Sequence, residues 1–208
     1  MIKESNTWAR LTSMAFHPMI MPTLAVLILF AIPSYVSYSI PTSARRLITG
    51  LVFLNTCIAP FLVILVMKKT GLIKDFYLQD RNERVYPIMV SVFFYLFTYY
   101  LFRQAHLPSL LNYFVMGATL LVLLGFVITF YWKISLHMMS MGGFTGYLIA
   151  VSLILGYELH MLIIGSVLAS GLVGSARIKL NAHNQSQVYV GFVTGILLML
   201  VLFFYLRG

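Results

Sequence analysis

Between residues 16 and 206 the chain alternates long apolar runs with short polar intervals. Seven runs stand out, at 16–38, 46–69, 87–104, 109–131, 143–157, 159–174 and 188–206. A helix needs roughly 20 mostly apolar residues to cross a hydrocarbon core of about 30 Å. It also satisfies its own backbone hydrogen bonds, which lipid cannot do. The pattern therefore predicts helices crossing a bilayer six or seven times. The fifth and sixth runs are short, and only Gly156, Tyr157 and Glu158 separate them, which predicts a tight helical hairpin. The stretch Met19–Val36 is longer than the apolar core of a secretory signal and is read as the first membrane helix.

Residues 1–14 are polar, with Lys3, Trp8 and Arg10 suited to the membrane interface. Pro22, Pro33 and Pro60 fall inside runs, where kinked helices tolerate them. Small residues recur at helical spacing, Ser166, Ser170 and Gly174 in one run and Gly191 and Gly195 in another. Such faces let membrane helices approach closely. The expected fold class is all-α, a polytopic membrane helix bundle forming one integral membrane domain over 1–208, with the chemistry-bearing part at roughly 68–206.

Composition agrees. The 208 residues are 61% hydrophobic and 9% charged, against about 25% charged in soluble domains. Mean hydropathy is +0.93. Cys57 is the single cysteine, so no disulfide forms within the chain. The excess of 14 Lys and Arg over 5 Asp and Glu sits in short loops. That placement suits lipid headgroups rather than nucleic acid. If every run crosses once, one side holds Lys3, Arg10, Lys68, Lys69, Lys74, Arg81, Arg84, Lys133, Arg177 and Lys179. The other holds Arg45, Arg46, Arg103 and Arg207. This balance predicts that the first side is cytoplasmic.

Polar residues at a bilayer are costly and often functional, and here they gather in three loops expected on that one side. The first runs from Lys74 through Arg81 to Arg84. The second, within 132–143, holds Lys133, Ser135 and His137. The third, 175–187, holds Arg177, Lys179, His183 and Gln187. Cations, hydroxyl and imidazole groups, with carboxylates only in the first loop, suit an anion and phosphate above all. His183 and Gln187 are four apart and would share a helical face. A histidine beside bound phosphate can act as a nucleophile, and His137 could protonate the leaving oxygen. Two metal readings are weaker: Met138, Met139 and Met141 around His137 as soft copper ligands, and Asp75, Asp80 and Glu83 around a divalent ion. Glu158 and His160 read as structural residues of the hairpin turn.

The spacing of these residues resembles the type-2 phosphatidic acid phosphatases, the lipid phosphatase and haloperoxidase superfamily, with signatures K-x6-R-P, P-S-G-H and S-R-x5-H-x3-D. Lys74 and Arg81 match the first. Ser135 and His137 match the second as S-x-H, and Arg177 and His183 match the third as R-x5-H. The resemblance spans about 74–206. It implies that Lys74, Arg81, Ser135 and Arg177 hold phosphate, that His183 is the nucleophile and that His137 is the general acid. This chain departs from the family pattern at Asn82, Ile134, Leu136 and Ala176. It departs most at Gln187, which stands where the family has an aspartate. Glutamine can accept a hydrogen bond from imidazole but carries no charge.

The expected function is hydrolysis or transfer of the phosphate of a lipid phosphate or polyprenyl (di)phosphate, with no metal and no cofactor. The alternative is a non-catalytic relative that binds an anionic lipid headgroup as a lipid-binding protein, transporter component or partner subunit. The expected partners are membrane lipids and the lipid phosphate, and nucleic acid is excluded. The expected location is a bacterial inner membrane. The site-bearing face is cytoplasmic by charge count and periplasmic by the family resemblance.

Overall fold

A computed structural model describes residues 6–73 and 81–207, with the side chains of 81–83 and 207 left out of account. The described residues form nine helices. These are α1 (Thr7–Ala15), α2 (Met21–Ala31), α3 (Tyr35–Ser39), α4 (Thr42–Lys69), α5 (Arg81–Gln104), α6 (Ser109–Thr129), α7 (Leu136–Leu155), α8 (His160–Lys179) and α9 (Gln185–Arg207). From α4 to α9, six helices are long and apolar enough to cross a membrane. The chain is an all-α, polytopic integral membrane protein.

The first apolar run does not form one span. Helix α2 has 11 residues, about 16 Å at 1.5 Å per residue, roughly half a hydrocarbon core. Pro33 disfavours helical backbone in the residue before it. Ser34 then starts α3 through a capping box, its hydroxyl accepting from Ser37 N–H while Ser37 Oγ accepts from Ser34 N–H. The apolar character of this run is continuous but its helix is not.

Contacts divide the chain into two compact units, Pro22–Trp132 and Met1–Met21 with Lys133–Gly208. In the first, α4 contains a π turn at Leu54–Ile58 just before Pro60. Proline has no N–H to return to the preceding turn and its ring crowds the carbonyl there. A widened turn absorbs both. Helices α5 and α6 lie antiparallel across a short turn, and Thr119 Oγ1 donates to Tyr95 O at 3.2 Å.

In the second unit, α7 and α9 press backbone to backbone. A Cβ at Gly142 would land on the Phe192 carbonyl, one at Gly195 on the Met139 carbonyl, and one at Gly146 would stand 2.8 Å from Ile196 O. Lipid tails are as apolar as leucine, so membrane helices gain little from burying apolar surface. Close van der Waals packing across small residues takes its place. Helix α7 ends at Gly156 in the left-handed conformation, φ 62, and α8 returns beside it. Thr145 and Ser166 hydrogen-bond across the pair at 3.0 Å. The outward side of α8 is apolar: Met161, Leu162, Ile164, Val167, Leu168 and Leu172 are all exposed. Helix α1 packs along α8 with Ala9 and Ser13 buried, and Lys179 Nζ lies 5.9 Å from the Trp8 ring centroid, within cation–π range.

Candidate functional site

Two of the three polar loops are shorter than their hydropathy implies. Residues 136–143, read as loop, are the start of α7, and Ser175 to Lys179 are the last turn of α8. His137 is therefore the second residue of a helix, and Arg177 sits in a helix's last turn. The correction has a simple cause. Hydropathy marks where apolar side chains begin, whereas a helix begins where its backbone bonds begin, and polar residues can occupy its ends at a membrane surface.

The chain reverses between α8 and α9 in five residues. Asn181 adopts φ 50, a left-handed conformation that asparagine tolerates better than most residues. Leu180 N–H donates to Ala176 O at 3.0 Å, and Ala182 N–H donates to Arg177 O at 3.1 Å. These bonds satisfy the last carbonyls of α8 and bring His183 back toward the helix end that carries Arg177. Ser135 N–H donates to Gln187 O at 3.3 Å, which ties the start of α7 to the start of α9.

His183 is buried. Its Nδ1 lies 3.1 Å from Gln187 Oε1 and 3.3 Å from Lys133 O. A backbone carbonyl only accepts, so the imidazole proton is on Nδ1. Asn184 N–H donates to the same Gln187 oxygen at 3.3 Å, which fixes that atom as the oxygen of the amide. The neutral ring's lone pair is then on Nε2. Gln187 has a second duty. Asn184 Oδ1 accepts from Gln187 N–H at 2.9 Å, so Asn184 and Gln187 form a reciprocal capping box at the start of α9.

His137 Nε2 lies 3.1 Å from Ser13 O. Again the carbonyl only accepts, so the neutral ring carries its proton on Nε2. Against this ring stands that of His17, edge to face with centroids 5.2 Å apart. Neither His17 nor Ser13 belongs to any motif in the sequence. The one signal was an ionisable residue in an otherwise apolar run, a feature that marks functional positions in membrane proteins. Met19 N–H donates to His17 Nδ1 at 3.3 Å, which leaves the neutral ring's proton on Nε2. Burial, and then the positive charge of Arg177, lower the His17 pKa to about 4, so this ring is neutral at pH 7.

Arg177 is half-buried. Its Nε is buried with no hydrogen-bond partner among the described residues, as are Ser135 Oγ and Ser13 Oγ. The only described carboxylate in this unit is Glu158, at the hairpin turn. Arg177 lies within electrostatic reach of His17 and His137. The structure thus brings together Ser135, His137, Arg177, His183 and Gln187, with Ser13 and His17 added from the N-terminal segment. Lys74 lies outside the described residues, as do Asp75 and Asp80. Arg81 is described only as the first backbone residue of α5. Met138, Met139 and Met141 are buried packing residues, and Met138 Sδ would stand 3.6 Å from a Cβ at Gly174. Among the described residues no three His, Cys, Asp or Glu stand together as metal ligands. What the cluster offers chemically is a set of donors, a cation with no carboxylate beside it among the described residues, and three imidazoles whose tautomers are set by hydrogen bonds. No family model, curated protein or solved structure matches this chain.

Proposed function

We propose that this membrane protein binds the phosphate of a lipid phosphate or polyprenyl (di)phosphate at the Arg177–His183 cluster and hydrolyses or transfers it through His183. The observation that carries this reading is the fixed tautomer of His183. Its Nδ1–H is directed at Gln187 Oε1 and Lys133 O, which gives Nε2 the lone pair a nucleophile needs. Attack forms an Nε2–P bond and breaks the bond from phosphorus to the leaving oxygen, which takes up a proton from water. Water then cleaves the phosphohistidine and releases phosphate. Arg177 offsets phosphate charge. The test is phosphate release from a panel of lipid phosphates by purified protein, with His183→Ala as control. Release by wild type and its loss in the variant is the expected result, and equal release by both refutes the nucleophile.

A second reading is a non-catalytic binder of an anionic headgroup. It draws support from His137, whose Nε2–H is directed at Ser13 O rather than reserved for a leaving group. The neutral Gln187 beside His183 favours it too. Binding of lipid phosphates without release of phosphate by any variant would select this reading.

A further inference from the structure

Three of the chain's buried polar atoms share an oddity. Ser13 Oγ, Ser135 Oγ and Arg177 Nε are enclosed without a hydrogen-bond partner among the described residues. Ser135 is fully buried and Ser13 is 6% exposed. An unsatisfied buried polar group costs about 1–3 kcal/mol, so native proteins keep few of them. These three belong to α1, the start of α7 and the end of α8, elements that pack on one another or share a hydrogen bond. Ser13 reaches the start of α7 directly, because its carbonyl accepts from His137, two residues beyond Ser135. His17 stands against the same ring, within reach of the Arg177 charge.

All four groups can donate. A serine hydroxyl rotates to aim its proton, Arg177 Nε–H can only donate, and His17 keeps its proton on Nε2 because Nδ1 receives Met19 N–H. The described residues bring no carboxylate to this end of the unit. Four donors, one of them cationic, suit an anion with several acceptor oxygens, and a phosphate monoester or diphosphate has them. We propose that the N-terminal segment completes the anion site, with Ser13 and His17 binding phosphate oxygens alongside Ser135 and Arg177. This rests on the phosphate-binding reading above and extends it to residues that no sequence motif covers. The neutrality of His17 fits the role, since a neutral ring offers a donor without adding a third positive charge beside Arg177 and Lys179. Helix α1 acts as a positioning element. Docked on α8 through Ala9, Ser13 and the Trp8–Lys179 contact, it holds its two ligands over the helix ends.

The test uses the full chain in phosphatidylcholine nanodiscs, probed in one arm with labelled orthophosphate and in the other with phosphatidic acid included in the disc. Two variants of His17 separate ligand from scaffold. His17→Gln keeps a donor near the Nε2 position, whereas His17→Asn keeps the acceptor that holds Met19 N–H but is too short to place its amide N–H at the Nε2 position. We expect His17→Asn and Ser13→Ala each to weaken binding about tenfold, the effect of losing one hydrogen bond to a charged group. His17→Gln should stay within about threefold of wild type. The effect in both arms identifies phosphate itself as the ligand; the effect only with phosphatidic acid identifies the lipid as its source. If Arg177→Gln weakens binding while the Ser13 and His17 variants bind like wild type, the N-terminal segment is not part of the site and the functional reading stands. If His17→Asn binds normally and His17→Gln does not, His17 serves only the Met19 turn and the inference fails. If wild type binds neither probe, both the inference and the functional reading fall. Size-exclusion profiles identify any misfolded variant, and Ser13→Ala, which removes one oxygen, then decides.

Discussion

Replacing Gln187 by glutamate tests the proposed chemistry at one atom. Gln187 Oε1 lies 3.1 Å from His183 Nδ1 and also accepts from Asn184 N–H. Glutamate has the same reach and serves equally in a capping box, so both bonds survive and only the charge changes. As His183 attacks phosphorus, its ring becomes positive. A carboxylate about 4 Å from that charge interacts by about 4 kcal/mol at an effective dielectric of 20. Gln187 is half-buried, and desolvating the new carboxylate removes part of this gain. A net lowering of at least about 1.4 kcal/mol remains, which is tenfold in rate. The carboxylate also favours the protonated imidazole of the free enzyme, and a protonated ring has no lone pair. The gain should therefore be largest at alkaline pH and shrink as pH falls. Aspartate is one methylene shorter, reaches Nδ1 less well and should gain less. Gln187→Ala loses the box and should cost stability of about 1 kcal/mol, as the loss of a helix cap does. The assay is single-turnover phosphate release in detergent, across a pH series, with the folding of each variant checked. If wild type is active and a well-folded Gln187→Glu is no faster at any pH, charge does not develop on His183. The nucleophile assignment is then wrong. If wild type and both acidic variants are inert across a broad lipid panel, the binding reading replaces the enzymatic one.

Three further outcomes follow from the same structure. Folding holds His17 near pKa 4, against 6.5 for the ordinary group, so below pH 6.5 the unfolded chain takes up a proton that the folded one refuses. Stability should be flat above 6.5 and fall by up to about 3 kcal/mol between 6.5 and 4. His17→Gln should remove that part of the slope in pH-dependent thermal unfolding, and an unchanged slope refutes the assignment. Gly195→Ala puts a methyl onto the Met139 carbonyl and should destabilise by roughly 1–3 kcal/mol. Gly165→Ala and Gly171→Ala, with nothing within 4 Å, should be neutral or slightly stabilising, and equal effects at all three sites would sink the close-packing account of α7 and α9. On a Cys57→Ser background, cysteines at Tyr157 and Asn181 should react with an impermeant reagent from opposite membrane faces, because one full helix, α8, separates them. Labelling of both from one side would mean that α8 does not cross, and the side that reaches Asn181 decides between the cytoplasmic and periplasmic expectations.

The sequence by itself determined that the chain lives in lipid, because 18 or more apolar residues in succession have few other solutions. It also determined the hairpin at Gly156, where glycine supplies a left-handed turn that other residues resist, and the small-residue faces around Gly191 and Gly195. The spacing of His183 and Gln187 was legible, but their contact has a different cause from a shared helical face: His183 precedes α9, and Gln187 reaches back to it from the first turn. What hydropathy could not read was backbone continuity. The first apolar run looked like one span, but Pro33 and the Ser34 cap cut it into α2 and α3. His137 and Arg177 looked like loop residues because their polar neighbours end the apolar runs, although the helices carry on through them. The second duty of Gln187, closing the capping box with Asn184, was hidden for the reverse reason. The spacing was visible, but its use depends on where α9 begins. Only tertiary structure brought Ser13 and His17 to His137 across more than a hundred residues of chain. No local period or motif encodes a contact of that separation. It depends on α1 folding back along α8, with Ala9 and Ser13 buried in α1.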